Sequence, residues 1–274
     1  MSASIRSFFA RIRKSMSWFP KYRFDGKIQR RTGLSPIYRT HPEDIFLVGY
    51  PKSGNTWMQN LAASIVFGTN ARLTPDSLIN ELVPDAHDRN FYRRYGTPTF
   101  FKSHHLPRPE YRRVIYLVRD GRDTMVSYFH FLSAINGCAP DFLRMVTMGE
   151  GLFPCRWHEH VEAWAKNPYD ARMITISYES LKSQAVDQLR RLCQFAGLER
   201  SDEFLKSVAQ ACSFAAMRER EKTMGWSSTA WPTDKAFVRR GEVGSFKDEM
   251  PQAVSAEFMR QAEQTLIRAG YCTD

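Results

Sequence analysis

The chain has no apolar run near the ~20 residues that a membrane-spanning helix requires. It has no C-x-x-C pair: its five cysteines, Cys138, Cys155, Cys193, Cys212 and Cys272, are odd in number and scattered. That argues against a disulfide framework, and reduced thiols in a cytosol-like compartment are the simplest reading. Its adjacent histidines, His104 and His105, stand in neither H-x-x-x-H nor H-E-x-x-H spacing and lack a cysteine partner, so no metal is expected. Internal repeats and low-complexity tracts are also missing. There is no acidic residue directly after an apolar strand run of the kind that holds magnesium in nucleoside triphosphatases; Asp120 is nearest, and it follows Arg119.

The 274 residues are 43% hydrophobic and 25% charged, values ordinary for a globular chain able to bury a large core. The net charge of +10 is unevenly placed. Residues 1–31 carry nine Lys/Arg against one acid, Asp25, whereas the remainder carries 30 against 28. The body is nearly neutral, so the basic total is not a nucleic-acid footprint and no nucleic-acid partner is expected. We therefore divide the chain into a basic amphipathic N-terminal extension, 1–31, and a folded domain, 32–274. In the extension, Ile5, Phe8, Phe9, Ile12, Met16 and Phe19 recur at helical spacing, with Arg6, Arg13 and Lys14 largely opposite, and Pro20 ends the pattern. Three readings stay open for it. It is a helix lying on an anionic membrane surface through residues 1–19, an organellar transit peptide, or a helix packed on the domain with a solvated basic face.

Residues 21–43 read as a connector. Apolar runs at 45–49, 97–103, 113–118 and 173–178 read as strands. Helical periodicity follows at 58–67, from the Arg119–Asp123 turn through Leu132, and from Leu181 to Ala196, closed by Gly197. The polar stretch 68–96 reads as short helices and loops over the binding face, and Gly225–Val238 as a lid near the site. Strands alternating with helices predict a single α/β domain, with a central parallel β-sheet flanked by helices, whose ligands bind beyond the carboxyl ends of the strands.

Tyr50-Pro51-Lys52-Ser53-Gly54-Asn55-Thr56-Trp57 sits between the first of these strands and a helix. Gly49 and Gly54 have the G-x-x-x-x-G spacing of a phosphate loop, in which backbone N–H groups and a helix N-terminus point at an anion. The lysine of an ATP or GTP loop would stand at Asn55; here it stands inside the loop, at Lys52. Lys52 and Thr56 are candidate anion contacts and Trp57 a candidate base stack, or else this is a strand–turn–helix with a surface lysine and a core tryptophan. Lys102-Ser103-His104-His105 ends another strand, which makes His104 a candidate general base. Arg119 ends the next, and is either an anion fork or the partner of Asp123. Arg239-Arg240-Gly241-Glu242-Val243-Gly244 is a second anion loop or a solvated basic turn.

Together these motifs, from about residue 44 to about 250, resemble the cytosolic-type sulfotransferases, which use 3'-phosphoadenosine 5'-phosphosulfate (PAPS). The family's Y-P-K-S-G-T-T-W loop is matched by Tyr50–Trp57 with Asn55 changed, its K-T-H strand end by Lys102-Ser103-His104, its Arg and a Ser eight residues on by Arg119 and Ser127, and its Y-E-x-L by Tyr178–Leu181. Its T-S-F-x-x-M is matched by Cys212–Met217 and its R-K-G-x-x-G by Arg239–Gly244. The resemblance implies a P-loop nucleotide-binding fold and sulfonate transfer from PAPS, without metal, to a hydroxyl or amine of a small-molecule or lipid-like acceptor. It implies catalytic roles for His104, Lys52 and Lys102. It implies donor contacts from Lys52, Ser53, Gly54, Asn55, Thr56, Trp57, Arg119, Ser127, Tyr178, Ser213, Phe214, Arg239, Arg240 and Gly241. It implies a cytoplasmic enzyme.

The departures are Asn55 for Thr, Cys212 for a Thr whose hydroxyl would reach the nucleotide, Arg240 for Lys, Ser245-Phe246 for Asp-Trp, and Pro251-Gln252 within a dimer motif that is not reproduced, which leaves the dimer open. A carbohydrate or glycolipid sulfotransferase, a P-loop kinase, and a non-catalytic protein on an enzyme scaffold are the alternatives. Phe129, Phe131, Phe153 and Trp157 are candidates for an apolar acceptor pocket, with core packing as the competing reading.

Overall fold

The structure is a computed structural model that describes residues 22–226 and 231–271. The amphipathic pattern of residues 1–19 and part of the expected lid therefore lie outside the described residues.

In chain order the elements are α1 (Tyr22–Thr32), β1 (Ser35–Pro36), β2 (Ile45–Gly49), α2 (Asn55–Phe67), α3 (Asp76–Leu82), β3 (Phe91–Tyr92), β4 (Phe100–Ser103), β5 (Arg113–Val118), α4 (Gly121–Asn136), α5 (Phe142–Met148), α6 (Trp157–Lys166), β6 (Arg172–Ser177), α7 (Tyr178–Ser183), α8 (Ala185–Ala196), α9 (Asp202–Ala211), α10 (Phe214–Met224), α11 (Phe246–Glu249) and α12 (Gln252–Arg268). Strands β4-β2-β5-β6 form one parallel sheet in that order. The two central strands read as continuous apolar runs because both their faces are covered. Alternation along β2 and β5 divides their side chains between two cores. Phe46, Val48, Tyr116 and Val118 face α4, α6 and α12 through Met125, Trp157, Trp164 and Phe258. Ile45, Leu47, Ile115 and Leu117 face α2, α8 and α9 through Met58, Leu61, Leu189 and Leu205. Burial of each such side chain contributes about 2 kcal/mol.

Four differences from the sequence reading have local causes. The stretch expected as a connector holds α1 and β1, and β1 pairs antiparallel with β3. The strand expected from Thr97 begins at Phe100: Pro98 has no N–H, and the Thr99 N–H donates to Asp44 Oδ1 at 2.9 Å instead. The helix expected over 181–196 is two helices, because Gln184 (φ −136°, ψ 48°) leaves helical geometry between them. The last third also holds α9, α10 and α12, beyond the elements expected from the sequence; Ser201 and Ser213 cap α9 and α10 by accepting backbone N–H bonds from Phe204 and Ala216.

All four sheet strands run the same way, so their carboxyl ends share one edge. That edge delivers the Tyr50–Trp57 loop, Lys102 with His104, Arg119, and Tyr178. A cavity of about 570 Å³ opens there.

Candidate active site

The loop after β2 is shaped by close approach. A Cβ at Gly49 would stand 2.5 Å from Asn55 Oδ1 and 2.7 Å from the Leu117 carbonyl oxygen, and one at Gly54 (φ +97°) 2.8 Å from the Tyr178 ring. Lys52 itself takes a left-handed backbone, φ 71°. The buried Asn55 donates from Nδ2 to the Tyr50 carbonyl at 2.8 Å, so its side chain straps the loop from within. Gly54, Asn55, Thr56 and Trp57 line the cavity. Ser53 is not on the cavity wall; it is wholly buried, and its hydroxyl has no partner, nor has the buried indole N–H of Trp57.

The cations reach the cavity in different states. The Lys52 ammonium lies between two ring faces, 4.4 Å from the centroid of Phe131 and 4.3 Å from that of Phe237. Loss of water, then repulsion from Arg119, Lys102 and Arg239, lowers its pKa to about 7. Lys102 has a carboxylate instead: Asp85 Oδ2 stands 2.8 Å from its Nζ and overcomes desolvation to raise its pKa. Arg119 donates to the carbonyls of Glu242 at 2.9 Å and Lys52 at 3.3 Å, and lies over the Tyr178 ring, 4.4 Å to the centroid. Its Nε is buried without a partner. Asp123, the competing partner considered above, is 3.7 Å from Arg119. Its carboxylate also accepts from Gly244 N–H, Ser245 Oγ–H and Phe246 N–H, which hangs the 239–244 loop on α4. Ser127, two turns into α4, lines the cavity.

Within that loop the two arginines part. Arg239 lines the cavity, while Arg240 is half exposed and off its wall; both donate to Glu249, at 2.7 and 2.9 Å, and His130 Nε2 stands 2.7 Å from the same carboxylate. Gly241 (φ +65°) lies against Phe214, whose ring a Cβ there would meet at 2.2 Å. Lys182 donates to the Gly241 carbonyl at 2.6 Å and also lines the cavity. Ser213, Phe214 and Tyr178 complete that end, with Trp57 edge-on to Tyr178 at 5.5 Å.

His104 Nδ1 stands 2.8 Å from the Gly49 carbonyl. A carbonyl only accepts, so Nδ1 carries the proton and Nε2 keeps its lone pair. Burial first, then the Lys102 charge, lowers the ring's pKa to about 4, so the imidazole is neutral at physiological pH. His105 turns off the cavity: its half-buried ring bonds through Nδ1 with Tyr111 Oη at 2.9 Å and Ser103 Oγ at 3.1 Å.

Of the four aromatic candidates for an acceptor pocket, Phe131 and Phe153 line the cavity. Phe129 stacks on Phe142 at 4.6 Å, and Trp157 is fully buried against Phe258. Trp226 stacks on Phe237 at 4.0 Å, and both are on the wall. Cys212 is fully buried off the wall, its Sγ 3.7 Å from Ser64 Oγ. Phe246 presents its ring to the Arg122 guanidinium at 4.1 Å. Asp85, Lys182, Phe237 and Glu249 are site residues that sequence reasoning missed.

The model of the sulfotransferase domain matches residues 42–270. Sulfotransferase 1E1 of Cavia porcellus is 24% identical over 255 residues, covering 84% of this chain and 85% of that protein. Cytosolic sulfotransferase 1 of Danio rerio is 28% identical over 247 residues, covering 81% and 82%. Among solved structures, retinol dehydratase in complex with androsterone and the inactive cofactor PAP superposes with a TM-score of 0.62 at 21% identity, over 84% of this chain and 83% of that one. Mouse sulfotransferase SULT7A1 complexed with PAP does so with a TM-score of 0.60 at 22% identity, over 84% and 86%. These two share the fold, and the domain match spans the four strand ends that build the cavity: the chain belongs to the sulfotransferase family and is an enzyme of sulfonate transfer.

Proposed function

We propose that the cavity binds PAPS and a small-molecule acceptor, and that His104 is the general base of an in-line transfer. The observation that carries this is the Nδ1–H donation to Gly49, which fixes the tautomer with Nε2 unprotonated in a cavity that also holds Lys52 and Lys102. Nε2 takes the acceptor's proton as its oxygen or nitrogen bonds to sulfur, and the departing phosphate oxygen keeps the electrons of the bond that breaks. Lys52 and Lys102 hold the charge that develops, from positions set before reaction.

The residues present fit such a donor. The loop from Gly54 to Trp57 offers backbone N–H groups and a helix start to the phosphosulfate. Arg119, Ser127 and Arg239 would hold the 3'-phosphate, and the buried Arg119 Nε without a partner accords with an anion there. Trp57, Tyr178 and Phe214 would hold the adenine, in a cradle that a Cβ at Gly241 would fill. Arg240 would contribute only from beyond Glu249, and Ser53 only from beneath the loop.

Tyr128, Phe131 and Phe153 offer apolar walls in the cavity that His104 also lines, which suits an apolar hydroxyl acceptor; androsterone and retinol are present in complexes of retinol dehydratase. We place the enzyme in the cytoplasm, with residues 1–19 as the basic amphipathic segment through which a lipid-like acceptor would be met at a membrane surface. The deciding experiment is thermal stabilisation by adenosine 3',5'-bisphosphate against ATP with magnesium. Stabilisation by the bisphosphate is expected; preference for ATP–magnesium would overturn the reading in favour of a P-loop kinase.

A further inference from the structure

Asp85 is an unexpected residue for an anion-binding cavity: a carboxylate on its wall, only 4% exposed. Its position is tightly determined. The Lys102 N–H donates to the Pro84 carbonyl at 3.0 Å, and the Ala86 N–H to the Lys102 carbonyl at 2.8 Å, so residues 84–86 run along β4 as an added parallel edge. That pairing sets Asp85 directly beside Lys102. Oδ1 accepts the His87 N–H at 2.8 Å and Oδ2 faces Lys102 Nζ at 2.8 Å, so both oxygens are engaged and the carboxylate is held from two sides.

We propose that Asp85 is a positioning residue for Lys102, holding Nζ at one point of the cavity wall as a permanent cation. The proposal rests on the reading of Lys102 as a catalytic cation given above. The same cavity supplies the contrast. Among the described residues Lys52 meets ring faces and no carboxylate, and water loss takes it to about 7; Lys102 keeps its charge well above neutrality because Asp85 answers it. The groups facing this pair are Lys52 from the loop, His104 beyond β4, His87 and Asp88 on the segment of Asp85, and Asp76 on α3. Simple charge counting predicts the opposite of this proposal, since removing an anion from an anion site should help the donor bind. Positioning predicts that turnover suffers.

The test is a double-mutant cycle on the full chain, using Asp85→Asn and Lys102→Met with labelled PAPS and with adenosine 3',5'-bisphosphate as a binding probe that lacks the sulfonate. Asp85→Asn should lower kcat about tenfold, but should change it less than about twofold in the Lys102→Met background, as groups acting through one contact do. The bisphosphate Kd should move less than about threefold, which also reports that the variant is folded. The alkaline limb of kcat should move to lower pH in Asp85→Asn, because a buried ammonium without its carboxylate loses its proton sooner; a merely structural carboxylate would leave that limb in place. If Asp85→Asn does not fold, Asp85→Ser carries the same cycle. Wild-type kcat in Asp85→Asn, or the same loss in both backgrounds, overturns the proposal. Wild-type kcat in Lys102→Met removes the catalytic reading of Lys102 beneath it, and the proposal with it.

Discussion

His104 donates from Nδ1 to the carbonyl oxygen of Gly49, 2.8 Å away, and so the residue that opens the phosphate loop sets the tautomer of the candidate base. His104→Ala should therefore lose turnover by about 10²–10⁴-fold while binding adenosine 3',5'-bisphosphate as the wild type does. Because burial lowers the ring's pKa to about 4, the acid limb of kcat/KM in the wild type should fall near pH 4 rather than near 6.5. Retained turnover in the alanine variant would remove His104 from the mechanism.

Lys52 should make donor binding proton-linked. With its pKa lowered to about 7, the ammonium is charged below that pH and largely neutral above it. A bound anion favours the charged form, so bisphosphate binding at pH 8 should take up a fraction of a proton. Titration calorimetry in two buffers of different ionisation enthalpy reads this directly. Equal heats in both buffers, or an uptake that persists in Lys52→Met, would count against it.

Gly241→Ala should weaken bisphosphate binding roughly tenfold or more, since the left-handed backbone alone costs about 1–2 kcal/mol for a residue with a Cβ. The new methyl would also meet Phe214 at 2.2 Å and force that ring or the loop aside. The unliganded fold carries the same strain, so thermal stability should also fall, by about 1–2 kcal/mol. A Kd within twofold of wild type would show that Phe214 does not bound the nucleotide end.

Arg220 should matter for stability and not for chemistry. It is buried on α10 and donates to Asn60 Oδ1 at 2.7 Å, Asp76 Oδ1 at 2.5 Å and the carbonyls of Ala71 and Thr74. Arg220→Ala leaves a buried carboxylate without its guanidinium and should cost about 3–5 kcal/mol in denaturant unfolding. A loss under about 1 kcal/mol would mean that water or a neighbour replaces the guanidinium.

The sheet was legible because β2 and β5 are buried on both faces and so spell unbroken apolar runs, and because loop glycines and strand-end cations keep fixed spacings. Asp85 was not legible. It sits in a polar stretch without motif, and only the pairing of residues 84–86 with β4 brings it to Lys102. Nor was the Phe131–Phe237 clamp on Lys52, which joins three segments remote in the chain. Phe129 and Phe131 illustrate the limit: two positions apart on one helix, one packs on Phe142 and the other faces the cavity. His105 is the counterpart on a strand end, where one step along the chain turns the ring from the cavity to Tyr111.

The three bonds that Asp123 accepts from residues 244–246 also have a mechanical meaning. Arg119 and Ser127 flank Asp123 in sequence, and Arg239 rides on the loop that Asp123 holds. The proposed 3'-phosphate grip thus behaves as one jaw rather than as three independent fingers. That jaw meets α10 where the Phe214 ring lies against Gly241, and it meets α7 through the Lys182 bond to the Gly241 carbonyl.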